Sequence, residues 1–151
     1  MKHEEVDVTD LATSLDPGQR LQALRLMREQ IDAGIPASAF FAAARPLIDD
    51  PDNDCRWQAI IVVGESVEEN PEDVWRVICE FGVSEDEDMR VAVATVLLEH
   101  LLEHYFAAYF PRIEEKIKEG APLLKDTLSR CWAFGQAEAR WGEVQALLGL
   151  R

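Results

Sequence analysis

One short pattern recurs along this chain at an interval of about three dozen residues, and it constrains the fold more than any other feature. Its fullest copy is Asp50-Pro51 followed by Arg56-Trp57-Gln58-Ala59-Ile60-Ile61-Val62-Val63-Gly64. An earlier copy reads Asp16-Pro17 with Arg20-Leu21-Gln22-Ala23-Leu24, and a later one reads Met89-Arg90-Val91-Ala92-Val93-Ala94. Arg20 and Arg56 are 36 residues apart, Arg56 and Arg90 are 34, and Gly64 and Gly135 are 71, close to twice that period. An interval of this size fits one helix–turn–helix unit, and such units bury their apolar faces by stacking on one another. The chain is therefore expected to be all-α, and no apolar alternation of period two argues for a strand.

The helix signals follow this period. Residues 1–12 are polar and are expected to be a flexible segment ahead of a single domain over 13–151. Asp16-Pro17 opens a first helix, because Asp caps well and Pro is tolerated in the first turn. That helix is expected to run to about Ala33, before Gly34. Pro36 opens a second, with Phe40, Phe41, Ala44, Leu47 and Ile48 on its apolar face. Further helices are expected at about 54–69, 71–81, 88–104, 105–119, 122–134 and 137–148. Gly82, Gly120-Ala121-Pro122 and Asn70-Pro71 mark the breaks.

Charge narrows the partners. The net charge is −14, and it is unevenly placed. Residues 49–99 hold 15 Asp/Glu against 3 Lys/Arg, whereas 103–151 hold 7 of each. Such a field repels phosphate backbones and anionic lipid, so nucleic acid and membrane partners are not expected. No uninterrupted apolar run is long enough to span a bilayer, and the first residues, Met1-Lys2-His3-Glu4-Glu5, do not resemble a secretory signal. Cys55, Cys79 and Cys131 lie in apolar helical patterns with no Cys-x-x-Cys pair, which reads as buried thiols of a cytoplasmic protein.

The recurrent unit resembles HEAT repeats. In that family a first helix is followed by a turn with Asp and Pro, then by a second helix with Val-Arg, Ala and Leu-Gly at set positions. Residues 46–65 match this pattern well, with Cys55 for the usual Val and Val63 for Leu. Residues 74–98 match in part: Arg90 is in place, Ser84 stands where Asp50 stood, and Leu98 where Gly64 stood. The copies at 16–33 and 106–135 are weaker. The resemblance implies a right-handed α–α superhelix of about four helical pairs, a scaffold role, and second helices that line a concave face.

Superposing the copies on that basis places Trp57, Ile61 and Glu65 on one side of the second helix, opposite Arg56 and Ala59. Adding the period gives Val91, Thr95 and Glu99, then Leu128, Trp132 and Gln136. The expected protein-binding face is thus Trp57, Ile61, Glu65, Thr95, Glu99, Glu103 and Trp132. Aromatic anchors beside carboxylates suit a basic, partly apolar partner. The competing role for either indole is core packing, which stabilises by roughly 2–3 kcal/mol.

Two acidic turns, Asp50-x-Asp52-x-Asp54 and Glu85-Asp86-Glu87-Asp88, sit one period apart and are expected to form an acidic ridge. The first opens like a calcium loop, but Cys55 and Ile61 stand where such a loop needs Gly and Glu. It reads instead as a solvated turn whose last Asp caps the next helix. His100-Leu101-Leu102-Glu103-His104 spells an inverted zinc-peptidase motif, with two histidines four apart on one helix face and Glu103 as a base. Peptidases with this motif take a further Glu well downstream, where few residues remain and Glu114, Glu115 and Glu119 are the nearest acids, so histidines at the end of a repeat helix are the expected reading, with no cofactor.

These observations lead to one expected function, a non-catalytic protein-interaction module. It binds a protein with a basic surface and is a monomer or a weak homodimer. One alternative is a small acidic antagonist, of the immunity-protein or inhibitor kind, masking a basic nucleic-acid enzyme. The other is a metal-dependent hydrolase using His100, Glu103 and His104.

Overall fold

Three aspartates spaced at the sequence period each begin a helix in the same way. The structure, a computed structural model, describes residues 8–149. In it the Asp16 carboxylate accepts from the Gly18 N–H, that of Asp52 from the Cys55 N–H, and that of Asp86 from the Asp88 N–H, all at 3.0 Å. Each cap is itself held by the residue two before it. The Asp16 N–H donates to Ser14 Oγ at 3.1 Å, the Asp52 N–H to Asp50 Oδ1 at 2.8 Å, and the Asp86 N–H to Ser84 Oγ at 3.1 Å.

Four residues beyond each cap an arginine closes the turn. Arg20 Nη1 donates to the Ser14 carbonyl at 2.9 Å, Arg56 Nη1 to that of Asp50 at 3.0 Å, and Arg90 Nη1 to that of Ser84 at 2.8 Å. The guanidinium thus satisfies a carbonyl six residues back in every copy. This geometry aligns Asp16 with Asp52 and Ser14 with Asp50. The shared Asp-Pro dipeptide pairs Asp16 with Asp50, two residues out of step with the arginines. The spacing from cap to arginine fixes the register and the proline does not. Pro17 is the first helical residue of its copy, whereas Pro51 precedes the cap.

The described residues are all-helical and contain no strand. The chain divides into two compact units, residues 1–66 and 67–151. Residues 1–7 lie outside the described residues, and the next five, expected as part of a flexible segment, form a short helix α1 (Val8–Ala12). The first unit continues with α2 (Pro17–Asp32), α3 (Phe41–Ala44) between two 3-10 turns, and α4 (Asn53–Glu65). One even helix after Pro36 is not what forms, because Pro46 has no N–H to donate and its ring crowds the preceding turn. Helix α2 packs on α4: Cys55 Sγ donates to the Pro17 carbonyl at 3.5 Å, and Ala23, Leu24, Met27, Ala59 and Ile60 are buried. Arg20 also forms a two-pronged pair with Asp50, 2.7 Å from Nε and 3.1 Å from Nη2. Asp50 is only 6% exposed.

The second unit contains α5 (Pro71–Phe81), a kinked helical rod over residues 87–118, α8 (Pro122–Ser129) and α9 (Trp141–Leu147). The rod is not uniform. Helix α6 (Glu87–Ala92) widens to a π-helical stretch at Val93–Leu98 before α7 (Glu99–Lys118). Tyr105 breaks it with φ −138° and ψ 42°, at the boundary expected between two helices. By length and composition the rod includes a stretch apolar enough to cross a membrane. Its apolar side chains Leu97, Leu98, Leu101, Leu102, Phe106 and Ile113 are buried in the fold, which accounts for that composition.

If the arginine–carboxylate pair organises the first unit, Asp50→Ala lowers the thermal midpoint by about 5–10 °C, since a half-buried guanidinium loses its partner. Asp49→Ala, a change at the exposed neighbour, leaves the midpoint nearly unmoved. Equal midpoints for the two variants in a thermal melt would show that the pair contributes nothing specific.

Candidate functional site

In the first unit the expected contact residues lie on α4. Trp57 and Ile61 are half-buried and Glu65 is exposed, while Ala59 on the opposite side is fully buried. Arg56, expected to face inward with Ala59, is half-buried like Trp57 and Ile61, because its guanidinium turns back to the Asp50 carbonyl. The turn before α4 differs from expectation. Asp50 is tied to Arg20, and Asp52, not Asp54, is the cap. The Cys55 N–H holds the Asp52 carboxyl below its usual range. Of the three aspartates only Asp54 is left as an exposed acid outside these bonds.

In the second unit the period fails at one place, and a distinct arrangement replaces it. Helix α8 stops at Ser129, so Trp132 and Gln136 do not continue the face of Leu128. Its last turn tightens: the Arg130 N–H bonds to the Thr127 carbonyl and the Cys131 N–H to the Leu128 carbonyl. The Trp132 N–H then leaves the helix altogether and donates to Glu99 Oε2 at 2.9 Å. From there residues 131–136 run as a strap along the rod. Cys131 Sγ donates to the Ala94 carbonyl at 3.4 Å, Gly135 packs against Glu103, and Gln136 Oε1 accepts the Phe106 N–H at 3.1 Å. That last bond satisfies an N–H freed by the Tyr105 kink.

The strap corrects the reading of Glu99 as an open carboxylate for a partner. Glu99 is 8% exposed. Burial pushes its carboxyl above the usual range, the Trp132 N–H and His100 act against that, and Glu103 adds to it. Thr95 is half-buried and its hydroxyl donates to the Val91 carbonyl at 2.9 Å within its own helix. Glu103 is partly covered by Gly135. Trp132, by contrast, is 73% exposed, and Phe134 beside it is 43% exposed. The strap holds their backbone against the rod and turns these rings to solvent.

The histidine motif is engaged with carboxylates. His100 Nδ1 lies 3.2 Å from Glu103 Oε2, and His104 Nδ1 lies 3.2 Å from Glu68 Oε1. Among the described residues no three His, Cys, Asp or Glu side chains converge as a metal site. In the acidic turn, Asp86 is the helix cap and Glu87 pairs with Arg130 Nη2 at 2.8 Å, while Glu85 and Asp88 are exposed. Arg90 and Arg130 both donate to Asp126 Oδ2, at 2.9 and 3.0 Å, and hold its carboxyl below the usual range, Arg130 more strongly.

Two features were not anticipated from the sequence. Trp141 and Leu148 line a groove of about 490 Å³ with Trp132. Tyr109 donates to Glu72 at 2.8 Å and Arg112 bonds both Glu72 oxygens at 2.9 Å, with Arg112 over the Tyr109 ring. These donors, Tyr109 first, lower the Glu72 carboxyl. Burial, reinforced by Glu72, pushes the Tyr109 hydroxyl up to about 12. The signal available was the spacing of Tyr105, Tyr109 and Arg112, which share one helix face. Comparison with known proteins finds no matching family model, no similar curated protein and no similar solved structure.

Glu99 carries a specific pH signature. A carboxyl whose pKa is raised by folding binds its proton more tightly when folded, so its contribution to stability falls as pH rises from the ordinary glutamate value through the raised one. Glu99→Gln keeps an acceptor for the Trp132 N–H and removes the buried charge. Its thermal midpoint at pH 7 is expected to exceed that of the parent by a few degrees, with the difference vanishing toward pH 4. A parent that melts higher at pH 7 would show that the charge stabilises the strap. Gly135 has φ +51°, and an added Cβ would lie 2.6 Å from Glu103 Cγ and 2.8 Å from its carbonyl oxygen. Gly135→Ala is expected to cost about 1–3 kcal/mol in denaturant unfolding, whereas Gly142→Ala, with nothing within 4 Å of the new Cβ, is expected to be near neutral.

Proposed function

We propose that this chain is a non-catalytic protein-interaction module of the HEAT-like α-solenoid type, acting in the cytoplasm on a partner with a basic surface. The thrice-repeated capped turn, with an arginine returning to the carbonyl six residues back, supports the repeat reading. The observation that carries the binding reading is Trp132. An indole left 73% exposed on a backbone fixed by Glu99 is a preorganised anchor, and ordering it costs little on binding. Its setting in a chain of net charge −14 favours a cationic partner. In the first unit Trp57, Ile61 and Glu65 are the contact candidates, and Glu65 is the exposed carboxylate among them. The three thiols are unpaired, in keeping with a reducing compartment.

The exposed acids of the turn at 85–88 favour a second reading of the same binding activity, in which the partner is a basic nucleic-acid enzyme and binding inhibits it. Both readings are tested by immobilising the protein, capturing partners from native extract and eluting with a salt gradient. A single partner of high isoelectric point, retained at low salt and weakened at least tenfold by Trp132→Ala or Glu65→Lys, is expected. Inhibition of a nuclease among the eluted proteins selects the antagonist reading. Retention indifferent to salt and to both substitutions would defeat the proposal.

A further inference from the structure

The groove beside Trp132 and the acidic turn at 85–88 belong to different parts of the second unit's sequence, yet one ion pair joins them. Arg130 lines the groove with Cys131, Trp132, Trp141, Gln145 and Leu148. Its guanidinium reaches Glu87 at 2.8 Å, which brings the turn to the groove's edge. The wall of the groove is mostly apolar, with Trp132, Trp141 and Leu148 as its large side chains and Ser129 and Gln145 as neutral polar ones. Its one charged lining residue, Arg130, is already committed to Glu87 and Asp126. Beside it, Glu87 pairs with Arg130, Asp126 pairs with both Arg130 and Arg90, and Glu85, Asp86 and Asp88 are exposed. An anionic ligand finds no uncommitted cation among these groups, while a cation finds the exposed Glu85 and Asp88.

We propose that this apolar groove and the acidic turn tied to its edge form one docking site for a basic segment of a partner protein that carries a large apolar side chain. The side chain seats against Trp132, Trp141 and Leu148, and flanking Lys or Arg residues face Glu85 and Asp88. The inference rests on the basic-partner reading above and adds the place, the anchor and the order of charges. Aromatic side chains lining a groove of this size suit a single aliphatic or aromatic anchor.

The test uses the full chain and three synthetic 18-residue peptides: an amphipathic Leu/Lys peptide, its Leu/Glu counterpart and an unstructured Gly/Lys peptide of equal charge. Affinity is read by titration calorimetry at low and physiological salt. The Leu/Lys peptide is expected to bind tightest. Its affinity is expected to drop at least tenfold with Trp132→Ala, and again with the double change Glu85→Lys, Asp88→Lys. Trp132 and both acids are exposed, and circular dichroism confirms that each variant is folded. Equal binding of the Leu/Lys peptide to the parent and to Trp132→Ala overturns the groove while leaving a basic-partner module intact. Equal binding of the Leu/Lys and Leu/Glu peptides overturns both. No binding of any peptide overturns the groove, and the capture experiment then judges the broader reading independently.

Discussion

Each copy of the recurrent turn depends on a guanidinium that reaches back six residues to a backbone carbonyl, and the rest of the architecture is arranged around that bond. A lysine in the same place could supply a charge but not the fixed fork of donors. The fork matters because the remaining nitrogens have separate work. In Arg20 they clamp Asp50, and in Arg90 the Nε donates to Asp126. One side chain therefore sets the local turn and also fixes a distant carboxylate within its own unit. Capping by Asp16, Asp52 and Asp86 then determines where each helix starts, and the apolar residues that follow point into the core by simple helical spacing.

The departure from regularity in the second unit has one identifiable centre. Helix α8 ends where the Trp132 N–H is taken by the Glu99 carboxylate instead of continuing the helix. A buried carboxylate is an expensive way to terminate a helix, and a neutral acceptor would serve the same bond. The π-helical stretch just before Glu99 and the kink at Tyr105 lie on either side of this bond, so the irregularities of the rod coincide with the length over which the strap lies against it. The same strap delivers Trp132 to solvent. In a continued helix its position would be four residues past Leu128, on a face that is buried.

Much of the helical plan was legible in the sequence because its signals are local. Proline and glycine breaks, the caps and the Tyr105 boundary all follow from residues within a turn of the event. The arginines alone give the register of the copies, 36 and 34 residues apart, and only the conspicuous Asp-Pro dipeptide misleads, because it pairs Asp16 with Asp50 when the cap four residues before each arginine is Asp16, Asp52 or Asp86. The candidate surface was less legible. Trp57, Ile61 and Glu65 fall on one side of α4 as helical spacing requires. Glu99 and Trp132 could not be placed that way, because their positions depend on a hydrogen bond between residues 33 apart in the chain. Asp50 shows the same limit: as one acid in a run it looks solvent-facing, and only its pairing with Arg20 takes it inside.

The thiols add a consequence of a chemical kind. Cys55 and Cys131 are buried, each with its sulfur donating to a main-chain carbonyl of a neighbouring segment. Burial drives the Cys55 thiol up to about 11 and the Cys131 thiol higher still, so neither is a competent nucleophile in the closed protein. Burial raises the Cys79 thiol as well, but its sulfur is only partly covered and so is the one within reach of a reagent without opening. Alkylation therefore proceeds first at Cys79, and any later modification records a separation: α2 from α4 when Cys55 reacts, the strap from the rod when Cys131 does. The chain carries in its own side chains a separate clock for the opening of each unit.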